Sequence, residues 1–296
     1  MMLVTGATGF LGSHVVTQLL KAGARPACFV RPSSDTRVIE ATGLPLRVGD
    51  LGDVGSLVAA LNGVKTLVNL ASLGFGHAPF IVEACRLAGI ERGVFISTTA
   101  IFTKLDARTK AVRLEAERLI RESGLAWTIL RPTMIYGTER DRNFARLIRF
   151  IDRYPVVPIP GSGRGLQQPV HVDDLAAAVI SALDRPASCG RAYNLSGERP
   201  LTYSQTVDET ATALGRRVIK LHVPLTPVAL ALRLYERTAR RPLIKAEQVL
   251  RFDEDKAFPH DEAAADLGFS PRAFTVGITA EVEMMREKGL IRRGRP

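Results

Sequence analysis

The sequence is poor in cysteine, tryptophan and acidic residues, and it has no long apolar run. Each shortage closes a class. Three cysteines in 296 residues, Cys28, Cys85 and Cys189, are odd in number and lack metal-ligand spacing, which excludes a disulfide framework and a cysteine-based metal site. Two of them lie in apolar segments and read as reduced packing residues. Nowhere do the roughly 18 apolar residues of a membrane span run together. A first strand beginning at residue 3 leaves no room for a leader, so the expected location is cytoplasmic. Aromatic residues make up 6% of the chain and do not interleave with the basic ones, which argues against a platform for single-stranded nucleic acid. The shortage of acid, 30 Asp and Glu against 40 Lys and Arg, gives a net charge of +10. Part of that excess lies between Arg216 and Arg251, where nine Lys or Arg face only Glu236 and Glu247. A basic lobe concentrates anions, although charge runs are most often solvated helix faces.

What is present begins at the first strand. Leu3-Val4-Thr5 runs into Gly6-Ala7-Thr8-Gly9-Phe10-Leu11-Gly12, and an apolar-periodic helix through Val15, Val16, Leu19 and Leu20 follows at once. Strand, G-x-x-G-x-x-G and helix together predict a dinucleotide site. A pyrophosphate sits on the unpaired N–H groups of a helix's first turn, where the helix dipole also favours an anion. Gly6 makes the turn, Gly9 clears the approach and Gly12 lets helix and sheet close up. Thr8, Phe10 and Leu11 complete the loop as candidate cofactor contacts.

Further on, apolar strands alternate with helices. Ala27-Cys28-Phe29-Val30 reads as a second strand and Leu46 to Leu51 as a third. A helix follows over 54–61, then a strand over 66–71, a helix over 79–88 and a strand over 93–97. A helix over 107–122 and a strand over 126–130 complete the run. The pattern predicts an α/β fold, a doubly wound parallel (Rossmann) sheet, with ligands gathered beyond the carboxyl ends of its strands. After the second strand, where NAD-binding chains carry an acid for the ribose hydroxyls, stands Arg31 with Ser33 and Ser34. A cation and hydroxyls suit a 2'-phosphate, so NADP is the expected cofactor and NAD the second choice.

Several motifs in their order then carry a resemblance. They are Gly6 to Gly12, Asp50-Leu51, Asn69-Leu70-Ala71, Ser97-Thr98-Thr99, Arg131-Pro132-Thr133-Met134-Ile135-Tyr136-Gly137 and Val170-His171-Val172-Asp173-Asp174-Leu175-Ala176. Together they resemble the extended short-chain dehydrogenase/reductase family, in its NAD(P)-dependent nucleotide-sugar epimerase/dehydratase branch. The resemblance implies a cofactor domain over 1–137 and 169–196, with a smaller mixed lobe over 138–168 and 197–296. It implies that Asp50 and Leu51 lie by the adenine, Ala71 and Ser97 along the cofactor, and Pro132, Thr133 and Met134 by the nicotinamide. Thr99 matches the family's catalytic hydroxyl, while Tyr136, Asn143 and Gln168 fall where a small-molecule substrate, such as a nucleotide sugar, would bind. A homodimer is compatible with it.

The chain departs from that family at the proton donor. Members carry Tyr-x-x-x-Lys on the helix after the fifth strand, the lysine lowering the phenol's pKa. One register here puts Thr109 in the tyrosine's place and Arg113 in the lysine's, and it keeps Glu117 at its distance from Trp127 and Arg131. The other puts Asp106 and Lys110 there. Neither offers a phenol, and an unactivated threonine is a poor proton shuttle. Gln167 and Gln168 stand where members carry a diphosphate-gripping arginine, leaving Arg140, Arg142 and Arg164 as substitutes. The expected function is therefore an NAD(P)-dependent epimerase/dehydratase-like oxidoreductase, or else a catalytically silent NADP(H)-binding sensor or assembly subunit. His171, Asp173 and Asp174 read as the start of a helix rather than metal ligands. The apolar stretch 228–235 and the arginines after it read as a lobe helix.

Overall fold

The computed structural model describes residues 1–105, 108–227, 232, 235 and 254–292. The expected helix over 228–235, with Arg237, Arg240, Arg241 and Asp106, falls almost wholly outside them. Among the described residues no helix is long and apolar enough to cross a membrane.

β1 (Met2–Thr5) leads through the glycine loop into α1 (Phe10–Lys21), then β2 (Ala27–Val30), α2 (Arg37–Glu40), β3 (Leu46–Val48), α3 (Val54–Leu61) and β4 (Thr66–Asn69). α4 (Ala78–Ala88), β5 (Arg92–Ile96), α5 (Arg108–Glu122) and β6 (Ala126–Pro132) complete the first half. After β7 (Ile135–Tyr136), α6 (Phe144–Arg153), β8 (Val156–Pro160), β9 (Leu166–Gln167) and β10 (Val170–His171), α7 (Val172–Asp184) and β11 (Arg191–Leu195) return to the sheet. The seven strands are ordered β11-β6-β5-β4-β1-β2-β3 and run parallel throughout.

Alternation along each strand divides the core between the two faces of this sheet. Val4, Cys28, Val68, Val94 and Leu130 pack under α1 and α7, and Leu3, Phe29, Leu67, Phe95 and Ile129 under α3, α4 and α5. Two strands stop earlier than their apolar runs suggest, because side chains take over the backbone's hydrogen bonds. Past β3, Asp50 accepts the Gly52 N–H at 2.7 Å and Asp53 caps α3. Past β4, Asn69 accepts the Thr5 hydroxyl at 2.7 Å and donates to the Ala71 carbonyl at 3.1 Å. Both turns open directly beneath the glycine loop.

The lobe has its own core. β12 (Leu201–Thr202), α8 (Tyr203–Leu214) and β13 (Ile219–Val223) join α6 and β8, and after α9 (Asp261–Leu267) the chain closes with α10 (Phe274–Glu287). Tyr136, Phe144, Ile148, Ile159, Val207, Ile278 and Val282 fill its interior. α9 belongs to the other side. Ala263, Leu267 and Phe269 pack into the sheet core beside α7, so this stretch, expected in the lobe, returns to the nucleotide-binding half.

Candidate functional site

The glycine loop is tight enough to explain each glycine. Gly6 has φ +69°, in the left-handed region that favours glycine, and a Cβ there would lie 2.9 Å from the Ala71 nitrogen. A Cβ on Gly12 would lie 2.0 Å from the Gly6 carbonyl oxygen. α1 starts at Phe10 with Gly9 as its N-cap, no side-chain cap and no acid in its first turn. Its leading N–H groups are thus left for an anion. Leu11 is buried in the core and Phe10 packs against it.

Beyond the loop lies a cleft of about 410 Å³ lined by Gly6, Thr8, Gly9, Arg31, Asp50, Leu51 and Ala71. The expected cofactor contacts from four strand ends therefore converge. Ser34, whose hydroxyl accepts the Arg31 N–H at 3.2 Å, lines the cleft, whereas Ser33 does not. Arg142 also lines it, a residue considered from the sequence only for a substrate diphosphate.

A second cavity, about 350 Å³, is lined by Thr98, Thr99, Phe102, Thr103, Thr133, Met134, Asn143, Glu254, Asp255, Lys256 and Phe258. Thr99, Thr133, Met134 and Asn143 thus share one cavity. Pro132 is buried, and its carbonyl accepts the Thr99 hydroxyl at 3.3 Å. Phe102 and Phe258 stand 5.5 Å apart, with the Arg131 guanidinium 5.3 Å from the Phe102 ring. Glu254 accepts from the Thr103 hydroxyl and the Lys104 N–H, and Asp255 from the Leu166 N–H. No local sequence signal pointed to this acidic wall, which reaches the cavity from far along the chain.

The helix expected to carry the proton donor serves other ends. The Arg113 guanidinium donates to the Thr109 hydroxyl at 3.0 Å and lies against Gly74. Lys110 donates to the Thr103 carbonyl at 2.6 Å. None of the three lines either cavity. Ser97 is likewise committed, because its hydroxyl donates to Glu117 at 2.6 Å. Glu117 is nearly fully buried and ion-paired with Arg131. Burial opposes its charge, but the hydrogen bonds from Arg131, Ser97 and Arg121 outweigh that and hold the carboxyl below its ordinary value.

Two residues expected at the substrate, Tyr136 and Gln168, lie buried. Tyr136 is wholly buried, edge-on to His171 and Phe144, because pairing of β7 with β10 turns it into the lobe core. Gln168 is buried too; its amide donates to the Gly197 carbonyl at 2.8 Å and accepts the Phe258 N–H at 2.9 Å, which fixes the far wall of the cavity. His171 caps α7 through the Asp173 N–H, and burial, reinforced by Arg272, pushes it down to about 4. Asp173 accepts from His14 at 2.6 Å and Asp174 pairs with Arg272 at 2.7 Å. Both acids are ties between elements.

A parallel doubly wound sheet, an uncapped helix behind three close-fitting glycines, and a cleft collecting strand ends define a dinucleotide-binding protein of the Rossmann class. A family model for NAD(P)H-binding domains matches residues 6–186, and the chain belongs to that family. It is 28% identical to the mitochondrial NADH dehydrogenase [ubiquinone] 1 alpha subcomplex subunit 9 of Arabidopsis thaliana, over 89% of this chain and 70% of that one. It is also 28% identical to the NAD(P)H azoreductase of Xenophilus azovorans, over 74% of this chain and 75% of that one. Among solved structures, MoeE5 in complex with UDP-glucose and NAD superposes with a TM-score of 0.73 at 25% identity, over 97% of this chain and 99% of that one.

Proposed function

We propose that the protein is an NADPH-dependent reductase whose acceptor is uncharged and conjugated, of the quinone or azo class, rather than a nucleotide sugar. The observation that carries this reading is the lining of the second cavity. Among the described residues that wall has two carboxylates, Glu254 and Asp255, against one cation, Lys256. A diphosphate there would meet like charge, with no arginine fork to compensate. Phe102, Met134 and Phe258 instead suit a planar apolar molecule, and the threonines suit its oxygens.

Gly6, Gly9, Gly12, Arg31, Asp50, Leu51 and Ala71 would hold the cofactor, with Arg31 favouring NADP. A reduced nicotinamide bound there supplies a hydride. Thr99, held against the Pro132 carbonyl, and Asn143 would orient the acceptor. Among the described residues no phenol lines the cavity, and conjugated acceptors make that a smaller loss. Their two-electron reduction leaves a delocalised anion that can take its proton from water, so no side chain needs a pKa tuned to the task.

The test is NADPH oxidation by the purified protein with a short-chain benzoquinone or an azo dye, beside conversion of UDP-glucose by the same protein supplied with NADP+ or NAD+. Turnover with the first or second and none with UDP-glucose is expected. Turnover or isomerisation of UDP-glucose overturns the reading. Cofactor binding without oxidation by any acceptor would instead favour the catalytically silent role that the missing tyrosine also allows.

A further inference from the structure

The arginines of the 138–143 segment do not approach the second cavity. Arg140 crosses from the lobe to the glycine loop, donating to the Thr8 carbonyl at 2.9 Å and the Ser13 hydroxyl at 3.2 Å. Arg142, two residues on, lines the cofactor cleft with Gly6, Thr8 and Gly9.

The segment is fixed from within the lobe. Asp141 is 4% exposed, and its carboxylate accepts the N–H groups of Asn143, Phe144 and Ala145 at 2.5, 2.9 and 3.1 Å. Glu281 of α10 accepts the Gly137 N–H at 3.0 Å, and its carboxyl lies near enough to that of Asp141 for the two to perturb each other. Lys288 pairs with Glu139 at 2.7 Å. With Gly137, Glu139 and Asp141 tied to the lobe, Arg140 and Arg142 are left on the side of the sheet.

We propose that Arg142 binds the pyrophosphate of the dinucleotide, so that the lobe adds a full positive charge to the partial charges of the glycine loop. The loop's N–H groups and the α1 dipole amount to about half an elementary charge, and a pyrophosphate carries more than that. Among the described residues that line the cleft, Arg31 and Arg142 are the only Lys or Arg. Arg31 follows β2, at the position that distinguishes NADP from NAD. Arg142 shares its short segment with Arg140, which is already seated on the loop and the first turn of α1. The phosphate end of the cleft therefore falls to Arg142. Asp50, the carboxylate of the same cleft, is occupied by the Gly52 N–H.

This assignment requires only the family's cofactor and is independent of which acceptor is reduced. The experiment is calorimetric titration of Arg142→Gln and of wild-type protein with NADPH and with NADH, in parallel with Arg31→Gln. Both coenzymes contain the pyrophosphate. Arg142→Gln is expected to weaken both by the same factor, about tenfold or more for a lost charge-assisted hydrogen bond, leaving their ratio unchanged. Arg142→Lys should recover part of the loss, since it keeps the charge without the fork, and it provides the comparison if the glutamine variant folds poorly. Arg31→Gln should change the ratio instead. Unchanged affinity for both coenzymes, or a loss confined to NADPH, overturns the proposal.

Discussion

Glu281→Gln removes one titrating proton from the middle of the lobe while preserving shape and hydrogen-bonding capacity. The carboxyl is 1% exposed. Burial first, and then the neighbouring Asp141 carboxylate and the more distant Glu139, push it from its ordinary 4.5 up to about 9. At neutral pH the folded protein therefore keeps this proton, and the unfolded chain has lost it. Between about pH 4.5 and 9 the native state binds one proton more, so stability falls as pH rises, by about 1.4 kcal/mol per pH unit. From pH 6.5 to pH 8 the loss is about 2 kcal/mol on the same slope. Asp141 and Glu209 are raised as well and act in the same direction, but Glu209 is present in both proteins and cancels in a comparison with the variant. His171, depressed to about 4, and the depressed carboxyls of Glu117 and Asp173 withdraw stability only as pH falls. Cys28 and Cys85, raised to about 11 and 12, act only above the ordinary thiol range. Urea unfolding of wild type and Glu281→Gln across that range should give a line for the first that falls more steeply than for the second, by about 1.4 kcal/mol per pH unit. Parallel lines would refute the assignment of a neutral Glu281.

Two further outcomes follow from the site. Arg31→Glu should weaken NADPH binding far more than NADH binding, because it replaces the cation expected at the 2'-phosphate; equal affinity of the wild type for both coenzymes would remove the argument. Arg131→Met should lower unfolding stability by about 3 kcal/mol, since it leaves the buried Glu117 carboxylate with only Ser97 and a longer contact to Arg121. Adding Glu117→Leu should restore part of that loss, and a double variant less stable than Arg131→Met alone would contradict the pairing.

The sheet was legible because its signals are local. Strand, glycine spacing and helix adjoin between Leu3 and Leu20, and the register in which a parallel sheet aligns its strand ends brings Arg31, Asp50 and Ala71 to the loop without further instruction. Features that depend on tertiary closure were not legible. Tyr136 follows an Arg-Pro-Thr-Met stretch expected at the nicotinamide, yet one short strand pairing turns it inward. Glu254 and Asp255 reach the second cavity from more than a hundred residues beyond Thr99. α10 did leave a signal, with Phe274, Ile278, Val282 and Met285 at helical spacing. The buried Glu281 interrupts that stripe, and its partner, the Gly137 N–H, lies too far along the chain for the sequence to show it. Arg142 was noticed for its charge and considered for a substrate diphosphate, yet it lines the cleft beside the glycine loop, because nothing local to residues 138–143 tells which of two cavities the lobe presents them to.

The central claim is that this cofactor cleft serves an uncharged acceptor. Its most direct measurement is anaerobic mixing of NADPH-loaded protein with a stoichiometric amount of a short-chain benzoquinone, following cofactor absorbance and hydroquinone together. The account predicts hydroquinone formed mole for mole with NADPH consumed, undiminished by excess UDP-glucose. Cofactor left reduced beside the quinone, or hydroquinone formation suppressed by UDP-glucose, would contradict it.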